Sequence, residues 1–292
     1  MTASAELRSG KGSGDENFPV ASLLIRRQHR PAILAYYEFV RVADDIADHA
    51  KLTPAEKITR LDRLEASLLG QNDQEPQGVA LRGVLRAHGL SPIHAQHVLR
   101  AFRQDVTKLR YANWDELIGY CQFSAMPVGR YVIDVHGESQ STWPASDALC
   151  SALQIINHIQ DIPKDYRDLD RVYIPADALA ANGLTVDILD QPQGTPAFKR
   201  CVQGLLDGVS VLLVQSRPLA TMVNDTRLAM EIAAIQKLAE RLVGVLRVRD
   251  PLSEKVHLSK SGMLLTVATG VAAVLSRKLW MRAAPAVATV NE

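Results

Sequence analysis

Cysteine is scarce in this chain: Cys121, Cys150 and Cys201 are the only three in 292 residues. Their odd number and wide spacing exclude a disulfide framework and offer no zinc-ligand pattern. None has a neighbour in sequence that would activate a thiolate. Each reads as a small core residue of a reduced, cytoplasmic protein. Net charge is nearly absent too, at +1 from 33 basic and 32 acidic residues. That balance argues against nucleic acid or another polyanion as partner. No apolar run is long enough to cross a bilayer. The longest near the C-terminus, 262–275, falls short of the roughly 20 residues a spanning helix needs. The opening stretch MTASAELRSGKGSGDENF lacks the apolar segment of a secretory signal. Alternation of apolar and polar residues is missing as well, so no strand is expected.

What remains is helical patterning in a chain that is 47% hydrophobic. Residues 1–16, rich in Gly and Ser, read as a flexible lead-in, and 17–292 as one all-α domain. Helices are expected at about 31–50, 54–70, 77–88, 92–110, 114–137, 146–166, 196–219, 225–248 and 253–281, punctuated by proline and glycine. Thr53-Pro54-Ala55-Glu56 has the form of an N-cap followed by proline at the first helical position. The run 262–275 is followed by Arg277, Lys278, Trp280 and Arg282. It suits either a terminal core helix or a helix lying on a membrane surface.

Two acidic rows stand out. RVADDIADH holds Asp44, Asp45 and Asp48, and QIINHIQDIPKDYRD holds Asn157, Asp161 and Asp165. Residues four apart share a helix face, so Asp44 joins Asp48, and Asn157, Asp161 and Asp165 form a second row. Both rows border apolar stripes, where a merely solvated face would not sit. Like charges at this spacing disfavour a bare helix. A hard cation shared with substrate phosphates resolves that conflict, and Mg2+ takes carboxylate, amide and water oxygens. Pro163, inside the second row, must kink or end its helix near Asp161. Pro127 and Gly129 in SAMPVG predict a further kink in 114–137. Tyr120, just before it, either lines a hydrocarbon tunnel as a cation-stabilising aromatic or packs in the core. Asp105 falls in an apolar stripe and needs a partner there; a boundary position is the simpler placement. His158 points off the acidic face and reads as structural.

Three segments, YYEFVRVADDIADH, YCQFSAMPVGRYVIDVHG and LQIINHIQDIPKDYRDLDRVYIP, resemble the squalene/phytoene synthase family over about Gly14 to Lys260. GSGDENFPVAS, AFRQDVTKLRYANWDELIGYC and SAMPVGR resemble its branch that makes hydroxysqualene in bacterial hopanoid pathways. The resemblance implies an isoprenoid synthase bundle around a central apolar cavity. It implies magnesium held by Asp44, Asp48, Asn157, Asp161 and Asp165. It implies diphosphate contacts from Arg41, Arg171 and Tyr173, and a loop over the diphosphate near Asp15, Glu16 and Asn17, with Phe18 beside it. Pro163 departs from the family pattern. The implied reaction converts presqualene diphosphate and water to hydroxysqualene and diphosphate, as a lyase. Presqualene diphosphate synthase or phytoene synthase, acting on farnesyl or another prenyl diphosphate, and a non-catalytic helical assembly factor remain open. Pathway enzymes and the inner membrane face are the expected further contacts.

Overall fold

The computed structural model describes residues 24–283, without the side chains of Lys260 and of residues 277–283. The lead-in, residues Asp15 to Phe18 and the side chains of Arg277, Lys278, Trp280 and Arg282 therefore lie outside the described residues. Among the described residues thirteen α-helices follow in order: α1 Arg30–Ala47, α2 Pro54–Leu69, α3 Pro76–His88, α4 Ile93–Asp105, α5 Trp114–Ser124, α6 Met126–Val135, α7 Trp143–Gln160, α8 Ile162–Leu169, α9 Ala176–Ala181, α10 Pro196–Ser216, α11 Leu219–Met222, α12 Thr226–Leu246 and α13 Lys260–Ala283. Among the described residues the only extended pairing is an isolated bridge between Arg110 and Val172. The fold is all-α, as the patterning predicts.

Local chemistry sets the helix ends. Thr53 accepts from the Glu56 N–H, and Glu56 accepts in return from the Thr53 N–H at 2.8 Å. This reciprocal cap starts α2 by satisfying donors the helix leaves open. Asn113, Thr195 and Asp225 cap α5, α10 and α12 through their side-chain oxygens. Two expected helices are broken. The segment 114–137 divides at Ala125, just before Met126-Pro127. The segment 146–166 divides at Asp161, where ψ rises to 9°, because Pro163 cannot donate and crowds the preceding turn. Backbone bonds still run from Asp161 N–H to Asn157 O and from Asp165 N–H to Asp161 O, both at 2.9 Å. The break therefore bends the second acidic row without removing its register. The helix expected to 110 ends at Asp105, and α9 is too short to show a period in the sequence.

The core runs through the bundle, with Phe39, Leu61, Leu99, Ile156, Phe198 and Leu206 fully shielded. Gly129 lets α6 close on α7: a Cβ there would collide with Ser146 Oγ and lie 2.5 Å from Cys150 Sγ. Gly270 does the same for α13 on α12, where a Cβ would meet Ala233 O at 2.7 Å. The three cysteines are unpaired, and burial pushes the Cys121 thiol up to about 12. Buried Cys121 and Cys201 fit inert core residues, whereas Cys150 is only half-buried. No helix among the described residues is long and apolar enough to cross a membrane.

Candidate active site

Helices α1, α6, α7 and α12, with Leu219 of α11 and Ile25 before α1, line an apolar cavity with an empty volume of about 1060 Å³, its open mouth included. Tyr37 and Val40 of α1 and Leu153 of α7 line it. One helical turn further along the same faces come Arg41 and Asp44 on α1 and Asn157 on α7. Helical register thus sets the first member of each acidic row, Asp44 and Asn157, one turn beyond residues of the cavity wall.

At that end the first row is held by arginines. Arg41 donates to Asp44 Oδ2 at 3.0 Å and to Asp45 Oδ1 at 2.9 Å. Asp45 is buried and faces Arg41, so it serves that guanidinium and not the Asp44–Asp48 face. Arg171 is buried and donates to Asp48 Oδ1 at 2.5 Å, to Ala47 O at 3.3 Å and to Asp105 O at 3.2 Å. Burial works against its charge, but Asp48 and then Asp105 outweigh it, and its pKa stays above the ordinary arginine value. Asp44 shows the opposite balance. Its side chain keeps a third of its exposure, yet burial, with the charge of Asp48 added, pushes its carboxyl up to about 7. A desolvated carboxylate crowded by another is a place where a cation is favoured.

Beside this lies a cluster that corrects two expectations. Asp105 is only 4% exposed, not at a boundary. It accepts from the Tyr120 hydroxyl at 2.8 Å and from the Tyr173 hydroxyl at 3.4 Å. Arg110, near it in sequence, pairs with Asp170 instead. His158 is not turned away: it stacks on Tyr173 with ring centroids 3.4 Å apart, and its Nδ1 lies 3.5 Å from Asp165 Oδ2. Gln154 holds its other nitrogen at 2.9 Å. Both differences have one cause, since Asp105 and Tyr173 are 68 residues apart and no local period reports such a meeting. Tyr120 is buried among Tyr111, Tyr173 and His158. A narrow cleft is lined by His158, Asp165, Arg171 and Tyr173.

Burial, offset in part by Arg171 and the Tyr120 hydrogen bond, pushes Asp105 up to about 6. The unfolded chain gives up this proton near pH 4, so between about pH 4 and 6 the folded protein binds more protons and loses stability as pH rises. Ionising this carboxyl in the folded protein rather than in the unfolded chain costs on the order of 3 kcal/mol. Asp105→Asn removes the charge. Its stability relative to the parent is expected to rise from pH 4 to about 6 and then level off, measured by urea denaturation across pH. A relative loss over that window would contradict the described environment.

Among the described residues no three acidic, histidine or cysteine side chains converge closely enough to hold a metal alone. A site with one or two carboxylates, completed by substrate phosphates and water, is the usual magnesium arrangement. The donor set on α1, α7 and α8 and the crowded Asp44 fit it.

The chain matches the squalene/phytoene synthase family over residues 12–262. It belongs to the squalene/phytoene synthase family. Two curated relatives in this family are named hydroxysqualene synthase. That of Rhodopseudomonas palustris is 55% identical over 88% of both chains, and that of Sinorhizobium fredii 50% identical over 91% of both. Among solved structures, squalene synthase HpnC from Alicyclobacillus acidocaldarius is similar with a TM-score of 0.72 and 30% identity, covering 84% of this chain and 91% of that one. A dehydrosqualene synthase in complex with ligand gives a TM-score of 0.80 at 18% identity, over 94% of this chain and 96% of that one, which speaks for the fold alone. The family membership and the all-α synthase fold therefore agree with the resemblance read from the three motif segments.

Proposed function

We propose that this squalene/phytoene synthase family member is a magnesium-dependent hydroxysqualene synthase of hopanoid biosynthesis. It converts presqualene diphosphate and water to hydroxysqualene and diphosphate, a lyase reaction. The observation that carries this reading is that Tyr37, Val40 and Leu153 line one apolar cavity, so that helical register sets Arg41, Asp44 and Asn157 one turn beyond its wall. A prenyl diphosphate has that same division, an anionic head on a hydrocarbon tail. Relatives named for this activity at 50–55% identity support the choice of product.

Asp44, Asp48, Asn157, Asp161 and Asp165 are the residues that would hold magnesium. The ion, when bound, neutralises charge on the leaving diphosphate. Arg41 supplies a guanidinium fork suited to phosphate oxygens, while Arg171, the second expected diphosphate contact, is buried on Asp48, Ala47 O and Asp105 O and acts by orienting Asp48. Tyr173, held by Asp105 and stacked on His158, presents its ring beside Asp165. Tyr120 offers an aromatic face at the same end. The apolar walls keep bulk water from the carbocation once the diphosphate has left.

Incubation with magnesium and presqualene diphosphate, with product analysis by mass spectrometry, tests the assignment. Hydroxysqualene is expected both with and without NADPH. Consumption of farnesyl diphosphate alone, with presqualene diphosphate accumulating, would refute it.

The product's character also gives α13 a role. Leu264 and Leu265 are 72% and 69% exposed, and Leu275 is exposed on the same helix. We propose that this helix rests on the inner membrane face, where its apolar residues meet lipid and the product can leave. Sedimentation with anionic lipid vesicles should capture the protein, and Leu264→Asp with Leu265→Asp should release it. Equal capture of both forms would count against the contact.

A further inference from the structure

The cavity wall contains a residue that a hydrocarbon chamber does not call for. On α12, Leu228, Glu231, Ile232 and Ile235 all line the cavity, at the i, i+3, i+4 and i+7 positions of one stripe. Three of these are aliphatic. Glu231 takes the fourth place and is 4% exposed. Among the described residues it is the one carboxylate lining this cavity. A carboxylate buried in such a wall needs polar partners, from the protein or from what the cavity holds.

Other polar groups also line this wall. Tyr36 and Tyr131 stack with ring centroids 4.0 Å apart, and their hydroxyls donate to His94 O and Ala32 O. Ser146 and Cys150 close against Gly129, on the side where α6 meets α7. Glu231 lies on a different helix from both acidic rows. It lines the cavity beside the aliphatic side chains of α12.

We propose that Glu231 is the residue that seats the capturing water and accepts its proton. The inference rests on the hydroxysqualene synthase reading. The rearranged thirty-carbon cation has lost its diphosphate and needs an electron pair. A water held by the Glu231 carboxylate gives its oxygen lone pair to the cationic carbon, forming the C–O bond. One O–H bond of the resulting oxonium breaks, and its proton passes to a Glu231 oxygen. Neutral hydroxysqualene remains, and the protonated carboxyl returns the proton to bulk water when product leaves. A fixed negative charge in an apolar wall also attracts the cation more strongly than it would in water.

The test uses the full chain with magnesium, presqualene diphosphate and oxygen-labelled water, comparing the parent with Glu231→Gln, Glu231→Leu and Glu231→Asp. The readout is the share of total product that carries the labelled hydroxyl, a ratio that does not depend on turnover rate. Loss of a general base is worth about a hundredfold or more, so the Gln and Leu variants should lower that share by at least about tenfold. Thirty-carbon hydrocarbons formed by proton loss should take its place, and Glu231→Asp should restore part of the alcohol. An unchanged share in the Gln variant overturns the proposal, whether or not its rate falls. So does loss of all diphosphate release in the Gln and Asp variants with a native melting midpoint. Failure of the parent itself to make hydroxysqualene would defeat the functional reading, independently of the variants.

Discussion

Asp44→Ala and Asp161→Ala are each expected to lower turnover by about a hundred- to a thousandfold, the scale of losing one preorganised electrostatic group in an active site, and each is expected to leave the fold intact. The structure explains why the two effects separate. Asp44 is crowded by Asp48, and its carboxyl is pushed up to about 7, so its charge is not what holds α1 in place. When it is removed, Arg41 keeps Asp45 at 2.9 Å and remains paired. Asp161 sits at the joint of α7 and α8, where its backbone carbonyl, not its side chain, carries the turn by accepting from Asp165 N–H. Steady-state turnover with presqualene diphosphate, beside melting curves, checks both halves. Near-parental turnover in either variant would remove that residue from the metal row.

Arg171→Ala acts on stability as well as chemistry. The Arg171 side chain reaches the C-terminal ends of both α1 and α4 through Ala47 O, Asp48 and Asp105 O. Alanine leaves two carbonyls and a carboxylate without this donor in a buried setting. Asp48 keeps 35% of its side-chain exposure, so the loss is expected at about 1–3 kcal/mol, below that of a fully buried pair. The urea midpoint should fall accordingly, and turnover should fall with it because Asp48 loses its orientation. Arg171→Lys should recover only part, since an ammonium cannot span three acceptors in a planar fork. A stability loss below about 1 kcal/mol, the range of an exposed pair, would show that the bridge is not buried as described.

The sequence makes some of this legible and hides the rest, for physical reasons. The acidic rows follow from spacing alone, because residues four apart share a face in any helix. The break at Asp161 follows from Pro163, and the α2 cap from Thr53 and Glu56, since these are local effects. Asp105 is visible as a charge in an apolar stripe, but its tyrosine partners are not. They come from α5 and from the segment after α8, brought in by tertiary packing. The position of His158 is hidden for the same reason, because the break at Asp161 and the approach of Tyr173 decide where its ring lies. Glu231 does carry a signal in the sequence: it interrupts the apolar stripe of α12 as Asp105 interrupts that of α4.

The most direct test of the central claim is a melting experiment in which magnesium and an unreactive diphosphate analogue are added separately and together. A ligand that binds only the folded state, present at a hundred times its dissociation constant, stabilises by about 2.7 kcal/mol. The account predicts a joint shift larger than the sum of the separate ones in the parent, and its loss in Asp44→Ala and Asp161→Ala. An equal joint shift in parent and variants would contradict the convergence of the two acidic rows on one metal-bound diphosphate.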